Sequence, residues 1–158
     1  MGLGARALEE FLSKHELVGA DTMVFIYHLE DHPRYAQLTQ PLFEAWEEGR
    51  NKGVTSVITL LEILVKPKRE GREEVARDYR ELLTTYPNLT IMEVDLELAE
   101  LAADLRARYR IRTPDALQLG CALRAGAGGF ITNDGRLKQV TELEVVLLDE
   151  LLRGIASS

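Results

Sequence analysis

The stretch LVGADTMVFIYHL, residues 17–29, carries the pattern on which the fold turns. Residues 17–20 are apolar, too few for a helix, and end at Asp21, so they read as a buried strand. Residues 22–29 then read as a helix. The same unit recurs along the chain. Residues 53–55 read as a strand, with Ser56 capping a helix over 57–65 that Pro67 ends. Residues 89–94 read as a third strand, and Asp95 caps a helix in which Leu98, Leu101, Ala102, Leu105 and Tyr109 share a face. Thr113 and Pro114 supply the cap and first turn of a helix reaching residue 124. Residues 129–132 and 145–148 read as strands, and a short helix closes the chain. Further helices are expected over 73–84 and in the segment that Pro33 and Pro41 punctuate, up to Trp46. Strands separated by helices predict an α/β fold with a five-stranded parallel sheet covered on both faces.

Composition sets the outer limits. The 158 residues are 46% hydrophobic and 28% charged, with no repeat or linker, which fits one domain with one sizeable core. No apolar run reaches 18 residues, which excludes a membrane-spanning helix. Glu9, Glu10 and Lys14 stand where a secretory signal needs an apolar centre, so a cytoplasmic location is expected. A single cysteine, Cys121, rules out an internal disulfide framework and a cysteine-built zinc site. The net charge of −7 argues against sequence-tolerant coating of nucleic acid. It leaves room for an enzyme that meets phosphates through a bound metal.

Ligands of open parallel sheets bind beyond the carboxyl ends of the strands. Asp21 and Asp134 each follow such an end. Glu62 is embedded in VITLLEILV, where an ionised side chain in dry protein costs several kcal/mol unless paired or metal-bound. It has an ordinary alternative, because Thr59, Glu62 and Lys66 share a face that a solvent stripe would follow. Asp115, in the first turn of its helix, equally complements the helix dipole. Asp21 and Asp134 equally suit turns or caps. The set is more telling than its members: four acids at one sheet edge repel each other unless something positive lies between them. Mg²⁺ or Mn²⁺ suits such a site, needing only one or two direct carboxylates plus water and substrate phosphate. The chemistry expected is metal-assisted phosphodiester hydrolysis.

Four segments, ADTMVFIYHLEDHPRY, TSVITLLEILVKP, RYRIRTPDALQLGCAL and GFITNDGRL, resemble the PIN-domain nucleases, especially the VapC-type ribonuclease toxins of toxin–antitoxin pairs. They occur in the family's order and cover most of the chain from residue 18 to residue 148. The resemblance implies a three-layer α/β/α fold with sheet order 3-2-1-4-5, a single PIN domain over 17–158 and a helical extension over 1–16. It implies that Asp21, Glu62, Asp115 and Asp134 form the catalytic and metal site. Asp21 and Asp115 would be direct ligands, Glu62 would hold a metal-bound water or a second ion, and Asp134 would complete the shell or orient the attacking water. Thr22, Thr132 and Asn133 match supporting positions, and Asn133 equally suits a turn.

The implied reaction is cleavage of RNA to 5′-phosphate and 3′-hydroxyl ends. The implied partners are a VapB-like antitoxin and a second copy of the chain, with no membrane. Two basic segments offer backbone contacts, Lys66, Lys68, Arg69 and Arg72, then Arg106, Arg108, Arg110 and Arg112. Arg112 is the preferred one. Both segments equally read as solvated helix faces paired with acidic neighbours. Alternatives within the family are an RNA-processing or decay factor without an antitoxin, and a catalytically silent binding module.

Other readings are weaker. His28 and His32 lack two further zinc ligands. Gly126, Gly128 and Gly129 precede a strand and suit a helix C-cap instead of a phosphate loop. Phe43 and Trp46 read as core anchors. An aspartyl-phosphate enzyme with Asp21 as nucleophile would need a second Asp where Met23 stands.

Overall fold

Five strands form one parallel sheet among residues 2–155, the part of the chain that the computed structural model describes. β1 (Leu17–Ala20), β2 (Lys52–Ser56), β3 (Leu89–Met92), β4 (Gly129–Thr132) and β5 (Glu144–Leu147) lie in the order β3-β2-β1-β4-β5. The order and the all-parallel pairing are those the sequence and its family resemblance implied. The helices are α1 (Leu3–Lys14), α2 (Thr22–Leu29), α3 (Ala36–Glu47), α4 (Val57–Arg69), α5 (Glu73–Thr85), α6 (Leu96–Arg108), α7 (Thr113–Ala125) and α8 (Leu148–Leu152).

Strand alternation builds the three layers, because successive side chains leave a strand on opposite faces. Val18, Ala20, Ile131 and Val146 enter one core with Phe11, Phe25, Leu38 and Trp46 from α1, α2 and α3. Val54, Phe130 and Val145 enter the other, with Leu105, Leu119 and Ala122 from α6 and α7. Two glycines permit close approach. A Cβ on Gly19 would sit 2.7 Å from Ala122 Cβ, and one on Gly53 would sit 2.4 Å from the Trp46 ring. Any larger residue there would push a helix off the sheet.

Two helix boundaries depart from expectation. Pro67 lies inside α4, buried, and the helix runs on to Arg69. Near a helix end, proline removes a single backbone bond. The actual stop is Gly71, at φ +70, where its N–H reaches Lys68 O at 3.1 Å. Pro41 likewise sits inside α3. A proline there costs about 3 kcal/mol, less than the burial of Leu38, Leu42, Phe43 and Trp46 at about 1.5–3 kcal/mol each returns. At α7 the cap position falls to Arg112, not Thr113, whose hydroxyl instead accepts from Arg106 Nη1 at 2.9 Å.

α1 packs into the first core. Ala7, Leu8, Phe11 and Leu12 are buried, and Phe11 Cζ lies 2.5 Å from where a Cβ on Gly129 would stand. Phe11→Ala is therefore expected to lower the unfolding free energy by about 3–5 kcal/mol in urea denaturation, while keeping a single transition. A loss below about 1 kcal/mol would mean that α1 is only appended.

Candidate active site

The site grows from the pairing of β1 with β4. Ala20 lies opposite Ile131, and the Asp21 amide donates to Ile131 O at 3.2 Å. This brings Asp21 beside Thr132, whose hydroxyl donates to Asp21 Oδ2. Asp21 stands at the N-cap position of α2 yet makes no side-chain cap bond. It is only 9% exposed, and its Oδ1 is buried without a hydrogen-bond partner.

Thr22 opens α2 and donates to Glu62 Oε1 at 2.6 Å. Glu62, on α4, is exposed to the cavity, while Thr59 one turn earlier is fully buried. The solvent stripe therefore does not extend to Thr59. Asp115, in the first turn of α7, accepts from Arg112 Nε at 3.3 Å. Asp134, beyond β4, caps the 3-10 turn Gly135–Gln139 and is clasped by Arg136, Nε to Oδ1 at 3.0 Å and Nη2 to Oδ2 at 2.6 Å.

All four acids line one cavity of about 730 Å³, together with Thr22, Tyr27, Arg112, Gln118 and Asn133. Among the described residues, no three His, Cys, Asp or Glu side chains converge closely enough to hold an ion unaided. Any cation here would need water or a ligand to complete its shell. Among the described residues, Asp21 Oδ1 is the one buried side-chain polar atom without a partner, and such a guest would satisfy it.

Burial pushes the Asp21 carboxyl up to about 6; the Thr132 hydroxyl opposes that rise and the nearby Asp115 charge adds to it. Asp134 is shifted the other way, held below the usual carboxylate range chiefly by its hydrogen bonds with Arg136. The two acids that follow strand ends thus sit in opposite environments.

Asn133 does not point its polar atoms only at the cavity. Its Nδ2 donates to Tyr35 Oη at 2.9 Å and its Oδ1 accepts from the Asp149 amide at 3.2 Å, tying the loop after β4 to α8. Lys66 pairs with Glu30 at 3.4 Å and lines an adjoining cavity of about 410 Å³ that shares Ile26 and Glu62 with the first. Lys68, paired with Glu73, and Arg110 line neither of these two cavities. Arg106 and Arg108 are engaged by Ile111 O with Thr113, and by Glu142. His28 stacks on Phe43 at 3.9 Å between centroids, and His32 Nδ1 accepts backbone N–H groups of Arg34 and Tyr35. Phe43 and Trp46 are core residues.

The sequence reading missed Gln118 and the buried hydroxyls of Thr55 and Thr59, and took Ser56 only for a cap. A signal existed: Gln118 is the lone polar residue in ALQLGCAL, one turn after Asp115 on the same face. Arg136 had none, because a basic residue in a turn is ordinary.

The family model for the PIN domain matches residues 20–143. No curated protein sequence matches at a significant level. Among solved structures, the chain is similar to VapBC2 of Rickettsia felis bound to a promoter DNA fragment, with 18% identity, 83% of this chain and 98% of that chain covered, and a TM-score of 0.65. It is similar to a toxin–antitoxin complex of Klebsiella pneumoniae, with 24% identity, 83% and 97% covered, and a TM-score of 0.60. A third, with 15% identity, 72% and 86% covered and a TM-score of 0.57, is Mycobacterium tuberculosis VapC20, a sarcin–ricin loop cleaving toxin. At these identities the likeness is one of fold.

Because the Asp21 carboxyl is raised in the folded protein, its contribution to stability is fully present below about pH 3.8 and is lost as pH rises through about 6. In chelator, Asp21→Asn is expected to be the more stable protein at pH 7.5, by up to about 3 kcal/mol, with the difference closing below pH 4. Urea denaturation across the pH series measures it; a pH-independent difference would refute the shift.

Proposed function

The chain belongs to the PIN-domain family, and we propose that within it the protein is a divalent-metal-dependent endoribonuclease of the VapC type. The observation that carries this reading is the buried, unpartnered Asp21 Oδ1 in a cavity wall shared with Glu62, Asp115 and Asp134. Leaving a carboxylate oxygen dry and unpaired is costly, and a cation is the guest that best relieves it.

Asp21 and Asp115 are the direct ligands in this proposal, with Glu62 and Asp134 acting through water. Mg²⁺ or Mn²⁺, when bound, supplies positive charge to the phosphate and makes a water a better nucleophile. The protein's own part is placement. Thr132 orients Asp21, Thr22 orients Glu62, and Asn133 anchors the loop that carries Asp134. Arg112, at the cavity wall, meets a non-bridging phosphate oxygen, and Lys66 lies on the adjoining path of the strand. The water oxygen bonds to phosphorus as the P–O3′ bond breaks. One water proton ends on the 3′-hydroxyl and the other leaves through a pocket carboxylate to solvent.

We propose further that the protein pairs with a VapB-like antitoxin, forms a homodimer and works in the cytoplasm. Met23, Leu61 and Val65 are 41%, 60% and 41% exposed and line the acidic cavity. Apolar surface beside a polar site suits a protein partner that covers it.

Purified protein with end-labelled structured and single-stranded RNAs is expected to cleave only with Mg²⁺ or Mn²⁺, leaving 5′-phosphate ends, and to stop in chelator. Asp21→Asn and Asp115→Asn are each expected to lose more than about 100-fold in rate, beyond the 10–100-fold typical of residues one layer further from a metal. Cleavage that persists in both variants would remove these residues from the site. Absence of both cleavage and metal binding would leave a binding module.

A further inference from the structure

Behind the acidic cavity lies a chain of buried hydroxyls that ends on Glu62, and we propose that Gln118 sets the direction of that chain and so acts as a positioning residue for Glu62. The proposal rests on the reading of Glu62 as part of a nuclease site. Gln118 is 4% exposed, and Thr22, Thr55, Ser56 and Thr59 are all buried, so each polar atom must find its partner inside the protein.

The contacts can be assigned one proton at a time. Ser56 Oγ accepts from the Ile58 amide at 3.1 Å and donates to Gln118 Oε1 at 2.7 Å. The two Nε2 protons of Gln118 go to Thr59 Oγ1 at 2.7 Å and Thr22 Oγ1 at 3.2 Å. Thr59 lies 2.7 Å from Thr55, whose single proton is given to Ala20 O at 3.0 Å, so Thr59 is the donor between them. Thr22 already accepts from Gln118, and its single proton goes to Glu62 Oε1 at 2.6 Å. Each of these contacts then has a proton, and two further approaches among the same groups, Thr22 Oγ1 to Thr59 Oγ1 at 3.2 Å and Thr55 Oγ1 to Gln118 Oε1 at 3.5 Å, go without one.

Turning the amide over breaks this. Oε1 would then face Thr22 and Thr59, and each threonine would have one proton for two acceptors. Either Thr22 releases Glu62, or the amide oxygen loses that donor. The Ser56 proton would face an NH₂ group and find no acceptor there. The hydrogen-bond count therefore selects the orientation in which Thr22 donates to Glu62. Gln118 touches no reacting atom in this arrangement. It acts through Thr22, at the point where α7, α2 and α4 meet.

Gln118→Met keeps the length and removes the donors; Gln118→Glu keeps the shape and offers an acceptor to Thr22. On an RNA that the parent protein cleaves, Gln118→Met is expected to lower kcat about 10–100-fold with KM changed less than about threefold. Thr22→Val should match it, and Thr22→Ser, which keeps the hydroxyl, should recover most of that loss. In a Glu62→Gln background, Gln118→Met should have little further effect, whereas a merely structural role would add its full loss. A readout free of activity uses the metal-free full-length chain. The Glu62 side-chain carboxyl ¹³C resonance should move in Gln118→Met, Gln118→Glu and Thr22→Val, and stay near the parent position in Thr22→Ser. An unmoved resonance in folded Gln118→Met, or full additivity with Glu62→Gln, would overturn the proposal. A parent protein that neither cleaves RNA nor binds Mg²⁺ or Mn²⁺ would instead overturn the nuclease reading, and the carbon resonance would still decide whether Gln118 positions Glu62.

Discussion

Asp21 is fixed to β4 twice, through its amide to Ile131 O and through the Thr132 hydroxyl on Oδ2. Both bonds follow from the parallel register of β1 against β4, which the two cores hold from either side of the sheet. The carboxylate cannot swing towards water to improve its lot. One oxygen stays buried and unpaired, and the rise of its pKa to about 6 is the electrostatic expression of that confinement. The packing that stabilises the fold and the discomfort of this acid are thus one arrangement. Relaxing the second would require loosening the first.

The remaining acids are treated differently. Asp115 and Asp134 are met by Arg112 and Arg136, whose side chains are 64% and 59% exposed. The Arg112 contact is single and long, 3.3 Å, and is released at little cost, whereas Arg136 holds Asp134 by two bonds. Glu62 is held by a neutral hydroxyl instead. The cavity therefore presents one acid that is confined, two that are paired with arginines and one that is aimed. Such a gradation suits a site whose charge is completed by a guest cation and a phosphate together, since the arginines freed from the acids are then available to phosphate oxygens.

Much of this could be read from the chain. Strands of four residues ending in Asp21 and in FITND, the Ser56 and Asp95 caps and the recurring helical faces gave the sheet order its elements, and each expected acid lines the same cavity. What escaped was of two physical kinds. Pro67 and Pro41 are local signals for a break; Pro67 costs little because it stands near a helix end, and at Pro41 burial of neighbouring side chains outweighs the proline. Gln118, Thr55 and Thr59 are ordinary polar residues whose meaning arises only when three helices and a strand bring them within hydrogen-bond distance. A one-dimensional pattern carries periodicity well and convergence of distant side chains poorly. Glu62 lies between these cases, because its misfit among leucines was visible but its donor, forty residues away, was not.

The net charge of −7 bears on how such a site would meet its substrate. At long range the molecule repels RNA, so encounter gains nothing from overall steering. Under the proposed function, attraction would come at short range, from Arg112, Lys66 and a bound cation, within the roughly 8 Å over which charges act at physiological salt. Other basic side chains are already engaged, as the pairs Lys68–Glu73 and Arg108–Glu142 illustrate. A nuclease built this way selects by fit in the cavity more than by charge. Under the proposed function, a partner that covers Met23, Leu61 and Val65 and offers one cation to the four acids would compete with metal and RNA without having to outcompete a broad electrostatic surface.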